Sequence, residues 1–172
     1  MNKRRLLIPL LLVFFTNSAA YGTTVERLDL DDLVRKAHKI IVGKVSNSRT
    51  FWTNNRKLIL TSYTVEVQET IKGESSHTLE LTTIGGSIGD LTLHVAGMPS
   101  FDRGENTLLF VENSGAFSTV VGLDQGKFKI AGGEVSNSVT ELSFPDGHPG
   151  KSLKMPLESF KKQIKVLIDR QP

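Results

Sequence analysis

Along Leu58–Ile71, Tyr63, Val65 and Val67 alternate with Thr64, Glu66 and Gln68. Only an extended strand puts such neighbours on opposite faces, so this period of two calls for a sheet with one buried side. The pattern recurs on both sides. Ile40-Ile41-Val42-Gly43-Lys44-Val45 is β-branched and partly alternating, and continues through Phe51 and Trp52 toward a loop at Asn54-Asn55. Leu79, Leu81 and Thr83 alternate with Glu80 and Thr82. Leu91 to Val95 alternates again, and Thr107-Leu108-Leu109-Phe110-Val111 is a nearly continuous apolar run, as expected of a central strand buried on both faces. Phe117 to Leu123 pairs with it as a hairpin through Asn113-Ser114-Gly115, Gly126 to Ile130 forms a further strand, and Val135 to Phe144 an edge hairpin.

The two ends of this region follow a different period. Asp29 to Ala37 carries acids in its first turn and bases in its last, with Leu30, Leu33, Val34 and Ala37 on one helical face. Pro156 sits where a first helical residue belongs, and Leu157, Phe160, Ile164, Leu167 and Ile168 mark the apolar face of an amphipathic helix that runs to about Arg170. Helix, antiparallel strands, helix: the expected fold is mainly β, an OB-fold-like antiparallel barrel with a short N-terminal helix and a C-terminal amphipathic helix. An open antiparallel sheet with two helices is the alternative.

The first residues are a targeting segment in appearance. Asn2-Lys3-Arg4-Arg5 precedes the apolar run Leu6 to Phe15, and Ser18-Ala19-Ala20-Tyr21-Gly22 supplies small residues for cleavage after Ala20 or Gly22. The run is too short to span about 30 Å of hydrocarbon, which disfavours a retained membrane anchor. Residues 1–22 are thus expected to be a signal peptide, residues 23–172 one domain, and the location periplasmic or secreted. No cysteine occurs anywhere, so no lipid attachment, disulfide or thiolate site is available, and the domain must hold by burial alone. The chain has 21 Lys+Arg against 18 Asp+Glu, but Lys3, Arg4 and Arg5 leave with the signal. The remaining chain is formally neutral and has no broad field for nucleic acid.

A search for reaction chemistry finds little. His38, His77, His94 and His148 share no metal-ligand spacing, and no cysteine pair or dense acidic calcium loop is present. There is no Gly-x-Ser-x-Gly elbow, and Gly85-Gly86-Ser87-Ile88-Gly89 lacks the Lys-Ser/Thr ending of a phosphate loop. Asp90 and Asp102, beside glycines, suit turns that bond their own backbone better than a catalytic pair. No nucleophile, base and orienting group form a set. The expectation is a protein with no catalytic residues, no metal and no cofactor.

The segment Gly85 to Glu105 holds five glycines and interleaved hydrophobes. A segment of this length without obvious structure is often functional. It either covers one end of the barrel or offers a contact surface with Met98, Pro99 and Phe101 near its tip. Gly85, Gly86, Gly89, Asp90, Met98, Pro99 and Phe101 are therefore the candidate binding residues. Trp52 joins them, with Phe51 and Tyr63, as an aromatic platform for a glycan; burial of Trp52 in the core is the competing reading.

Three stretches carry a family resemblance: Ala37 to Val45, Tyr63 to Gly73 and Gly104 to Phe110. Their order resembles the OB-fold module of the tissue inhibitors of metalloproteinases and the related netrin-type domains. The chain is similar also to a group of uncharacterised exported bacterial proteins through Gly85-Gly86-Ser87-Ile88-Gly89, Val95 to Glu105 and Val121 to Phe128. Members of that group are associated with matrixin-type zinc proteases, so the resemblance implies an exported metalloprotease as partner. The inhibitors bind their zinc through a disulfide-held N-terminal cysteine. This chain has none, and no inhibitory residue carries over.

Together these features lead us to expect an exported, non-enzymatic binding module. A protein partner such as a metalloprotease is the leading expectation, and a periplasmic carbohydrate- or peptide-binding protein the alternative.

Overall fold

The computed structural model describes residues 23–171. The expected signal segment and both of its cleavage points lie outside the described residues. From Thr23 the chain runs β1 (Thr23–Thr24), α1 (Leu30–Lys36), β2 (Lys39–Trp52), β3 (Ile59–Lys72), β4 (Thr78–Ile84), β5 (Gly86–Ile88), β6 (Leu91–Leu93), β7 (Asn106–Ser114) and β8 (Phe117–Val120). A 3-10 turn (Leu123–Gly126) leads into β9 (Lys127–Ala131), β10 (Glu134–Ser136), β11 (Leu142–Ser143), β12 (Lys154–Pro156) and α2 (Leu157–Asp169). The fold is mainly β, with antiparallel sheets and a short helix toward each end.

One large sheet has the order β12-β10-β9-β7-β2-β3-β4, and β8 pairs with β7. The strand β7 is shared. Its first half, Thr107 to Leu109, pairs with β9, and its second half, Val111 to Ser114, pairs with β8. Its other edge pairs with β2 from Asn106 to Val111. Because β2, β3 and β4 are joined antiparallel in turn, β4 and β8 run the same way. Their Cα atoms come within 8 Å of each other. No ladder joins them among the described residues, so the sheet curls without closing into a barrel.

Two cores explain the sequence pattern. On one face of the sheet Ile40, Val42, Leu108, Phe110, Phe128 and Val135 pack against Leu33 and Val34 of α1 and Phe160 and Ile164 of α2. On the concave face Ile41, Val45, Tyr63, Val65, Leu79, Leu81, Leu109, Val111 and Val120 pack together. The strands β2 and β7 are covered on both sides, which is why their apolar runs are nearly unbroken. Strands β3 and β4 alternate because the concave core covers only one of their faces.

The N-terminal helix starts where the sequence places it, and α2 starts one residue later than expected, at Leu157, with Pro156 ending β12 as its N-cap. Asp29 caps α1, accepting from the Asp32 N–H at 2.8 Å while Asp32 accepts from the Asp29 N–H at 3.3 Å. Pro156 precedes α2, and Phe160 lies 4.6 Å from Phe128, ring centre to ring centre. Lys72 at the end of β3 donates to the Val34 carbonyl of α1 at 2.7 Å and to Gln171 at 3.1 Å, tying both helices to one strand.

Three local expectations are corrected. The segment Gly85 to Asp90 is not only turn: Gly86–Ile88 is β5, paired with β6. Residues 135 to 144 form no hairpin. Val135 of β10 pairs with Ile130 and Met155 on its two sides, while Leu142 of β11 pairs with Thr23 of β1 in parallel. The strand expected over Phe117 to Leu123 stops at Val120, where left-handed Gly122 and Leu123 (φ +63° and +62°) turn the chain.

Candidate functional site

The open side of the curled sheet is roofed by residues 85 to 105. Glycine seats this flap. Gly86 has φ +122°, and a Cβ on it would lie 2.4 Å from Thr61 Oγ1 and 2.8 Å from Thr50 Cγ2, so only hydrogen lets β5 lie against β2 and β3. Thr61 Oγ1 donates to the Gly85 carbonyl at 2.7 Å, fixing the same junction. The far end is anchored at Gly97 (φ +72°), where a Cβ would stand 2.1 Å from Leu142 Cδ2. The Gly97 N–H donates to Glu141 Oε2 at 3.3 Å, and the Gly97 carbonyl accepts from the Asp124 N–H at 3.0 Å.

Two cavities adjoin under and beside this flap. The first, about 250 Å³, is of mixed polarity: Tyr63 of the concave face, His94, Asp124 and Glu141 line it together with Gly85, Gly86, Leu93, Val95 and Met98. No lysine or arginine is among its lining residues. His94 Nε2 lies 3.4 Å from Glu141 Oε2 at the rim. Asp124 is partly buried, and this burial pushes its carboxyl up to about 6, helped by Glu141 and Glu105 and opposed by Lys127. Lys127 stands beside this cavity: its Nζ is 3.0 Å from Glu105 Oε1, 4.4 Å from the Phe101 ring centre, and donates to the carbonyl of Ser100, a lining residue.

The second cavity, about 570 Å³, is an apolar groove along the unjoined edges of β4 and β8, with Leu58, Leu60, Ile84, Phe117, Val120 and Leu123 in its walls. Among the described residues, five large hydrophobes are exposed, and three of them, Leu58, Ile84 and Phe117, lie at this groove. Thr83, Ile84 and Met98 line both cavities, so the two lie side by side with these residues between them. Leu123, a branched apolar residue held at φ +62°, lies where the groove meets Asp124. Such strain at a cavity wall is a feature that functional sites collect.

The structure separates the candidate residues. Gly85, Gly86 and Met98 line the first cavity. Gly89 and Asp90 form the exposed two-residue turn between β5 and β6, away from both cavities. Pro99 also lines the first cavity but is buried. Phe101 is no contact at a tip. It is 8 % exposed and sits in the concave core, 4.9 Å from the Tyr63 ring centre. Trp52 is half-buried opposite Ile59 and lines neither cavity. Tyr63 is inside and Phe51 is stacked under Arg49, so the three aromatics make no common platform. Asp102 is exposed and lines neither cavity.

Sequence reasoning missed His94, Asp124 and Glu141. They come from three separate segments, and only the anchoring of Gly97 brings Asp124 and Glu141 together. The one available signal was Asp124 itself, a lone acid closing the apolar stretch Val120-Val121-Gly122-Leu123. Among the described residues no three His, Asp or Glu side chains are grouped as metal ligands. Compared with known proteins, the chain matches no family model, no curated protein and no solved structure.

Proposed function

We propose that this protein is an exported, non-enzymatic binding module that holds a segment of another protein in the cleft between β4, β8 and the flap. The observation that carries this reading is the apolar groove itself. It gathers Leu58, Ile84 and Phe117 where the edges of β4 and β8 approach without a ladder among the described residues. Grouped exposed hydrophobes of this kind mark interaction surfaces. Side chains, not backbone, are what the groove admits. A strand inserted between β4 and β8 needs two ladder spacings, about 9.6 Å, and the strands approach closer than that.

The path β4-β3-β2-β7-β8 supports an OB-type topology, a partly open barrel whose last pair is not laddered. With the resemblance to metalloproteinase-inhibitor modules, it makes an exported metalloprotease the first partner to test. The separation of Phe51, Trp52 and Tyr63 favours a protein ligand over a glycan.

Photo-crosslinking in an envelope extract tests the reading. A photoreactive residue replaces Phe117 in one sample and Val166, on the outer face of α2, in another. The two native side chains are similarly exposed, at 47 % and 41 %. The expected result is a discrete protein adduct from position 117 that unlabelled protein competes away, with none from position 166. Equal adducts at both positions would reject the cleft. Mass spectrometry of the adduct identifies the partner, and a protein other than a protease would remove the protease from the proposal while leaving the binding role.

A further inference from the structure

We propose that the outer half of β2 pairs edge to edge with an extended, acidic segment of another protein, which adds one strand to the sheet along residues 48–52. Ser48, Thr50 and Trp52 line neither cavity, so this surface is distinct from the cleft and does not depend on what the cleft holds.

The first observation is a row of unpaired backbone groups. Strand β2 pairs with β7 from Lys39 to Lys44. The next residue, Val45, donates to the Glu105 carbonyl at 2.9 Å and accepts from the Gly104 N–H at 2.7 Å. There the neighbouring chain turns, with the Glu105 N–H donating to the Asp102 carbonyl at 3.0 Å. From Asn47 to Trp52, β2 pairs with β3 alone, in unbroken register. The Thr53 N–H donates to the Leu58 carbonyl at 2.9 Å, which sets the phase of that ladder. Antiparallel bonding alternates, so Asn47, Arg49 and Phe51 bond to β3, while Ser48, Thr50 and Trp52 aim both N–H and C=O away from it. Among the described residues no ladder and no loop bond satisfies these outward groups. Strand β5 lies over the Thr50 side chain but pairs only with β6.

Proteins guard exposed edges with prolines, bulges or very short strands. The edge strand β12 has three residues and ends in Pro156. Residues 47–52 contain no proline and no register break.

The second observation is charge. Residues 45–65 carry Arg49, Arg56 and Lys57 and no acid. All three cations are exposed, and none forms an ion pair among the described residues. Arg49 shares a face of β2 with Phe51, over whose ring its guanidinium stands at 5.1 Å. The residue of an added strand that lies opposite Arg49 turns its side chain to that same face, and a carboxylate there meets the guanidinium. A second copy of this chain would bring the same cations to the same edge, and like charges oppose that pairing. An acidic strand of a different protein satisfies the backbone row and the charge together.

Synthetic peptides test this with the purified protein. The probe is acetylated and amidated Thr-Glu-Val-Glu-Val-Glu-Val-Thr. Its analogues replace the three glutamates by glutamine or by lysine, or keep them and methylate alternate backbone nitrogens. The acidic peptide is expected to bind about tenfold more tightly than the glutamine analogue, with the lysine analogue weakest. It is expected to slow amide hydrogen exchange at Ser48, Thr50 and Trp52 by NMR. Of the two N-methylated peptides, the one methylated on the bonding edge is expected to lose binding. Arg49→Gln is expected to narrow the gap between the acidic and glutamine peptides. Thr50→Pro, which removes an outward N–H and no bond to β3, is expected to abolish binding; should it fail to fold, the N-methylated peptides carry the same test. Equal binding of the acidic and glutamine peptides would overturn the proposal, as would unchanged binding of both N-methylated peptides or protection confined to β4 and β8. Tighter binding of a ten-residue oligothymidylate than of the acidic peptide would overturn it in favour of nucleic acid. Binding of no peptide would overturn it while leaving the cleft to be judged by crosslinking from position 117.

Discussion

Asp124 titrates near 6, whereas an unperturbed aspartate titrates near 3.8, and burial is the main cause. An acid whose folded value lies above its unfolded one binds more protons when folded, so its charged form costs stability. That cost is absent below the unfolded value of about 3.8. It grows as pH rises toward the folded value of about 6, and it persists above that. The neutral isostere Asp124→Asn is therefore expected to raise the urea midpoint at neutral pH, with the gain shrinking to nothing as pH falls toward 4. A gain that is the same at both ends of this range would show that the carboxylate is not desolvated. A residue that weakens the free fold in this way fits a site that pays in stability for binding. Nothing in the local sequence singled it out beyond its position at the end of an apolar stretch. Its neighbours Gly97 and Glu141 are distant in the chain.

At the scale of elements, helix α2 is fastened chiefly by Phe160, whose ring lies 4.6 Å from Phe128 and 6.3 Å from Phe110. Phe160→Ala leaves a void beside the rings of Phe110 and Phe128 and is expected to cost about 3–5 kcal/mol, read by urea unfolding. A loss below about 1 kcal/mol would mean that α2 is not part of the main core. This helix was legible because five apolar residues recur at helical spacing. The strands β2, β3, β4 and β7 were legible for a matching reason: each is long enough to display its period, whether alternating or buried on both faces. The strands β1, β11 and β12 have two or three residues each, too few for any period. Strand β5 was hidden because its glycine occupies a left-handed backbone and its pairing depends on contact with Thr50 and Thr61. Phe101 looked like an exposed loop hydrophobe because local sequence does not reveal that its loop folds back onto Tyr63.

At the scale of the molecule, composition and pattern indicated a mainly β fold with a helix toward each end, held without a disulfide. They did not show where the sheet would stop. Closure depends on whether β4 and β8 meet edge to edge, and no periodic signal reports that; β8 ends at Val120, and Gly122 and Leu123 turn the chain just beyond it. The unjoined edges create the groove, and the flap's glycines create the cavity beside it. Amide hydrogen exchange on the free protein, followed by NMR, tests this arrangement most directly. The amides of Thr78–Ile84 that make no bond to β3, and those of Phe117–Val120 that make none to β7, are expected to exchange by local opening, orders of magnitude faster than Leu108 to Phe110. Equal protection across β4, β7 and β8 would mean a closed barrel in solution, with no cleft for a partner to occupy.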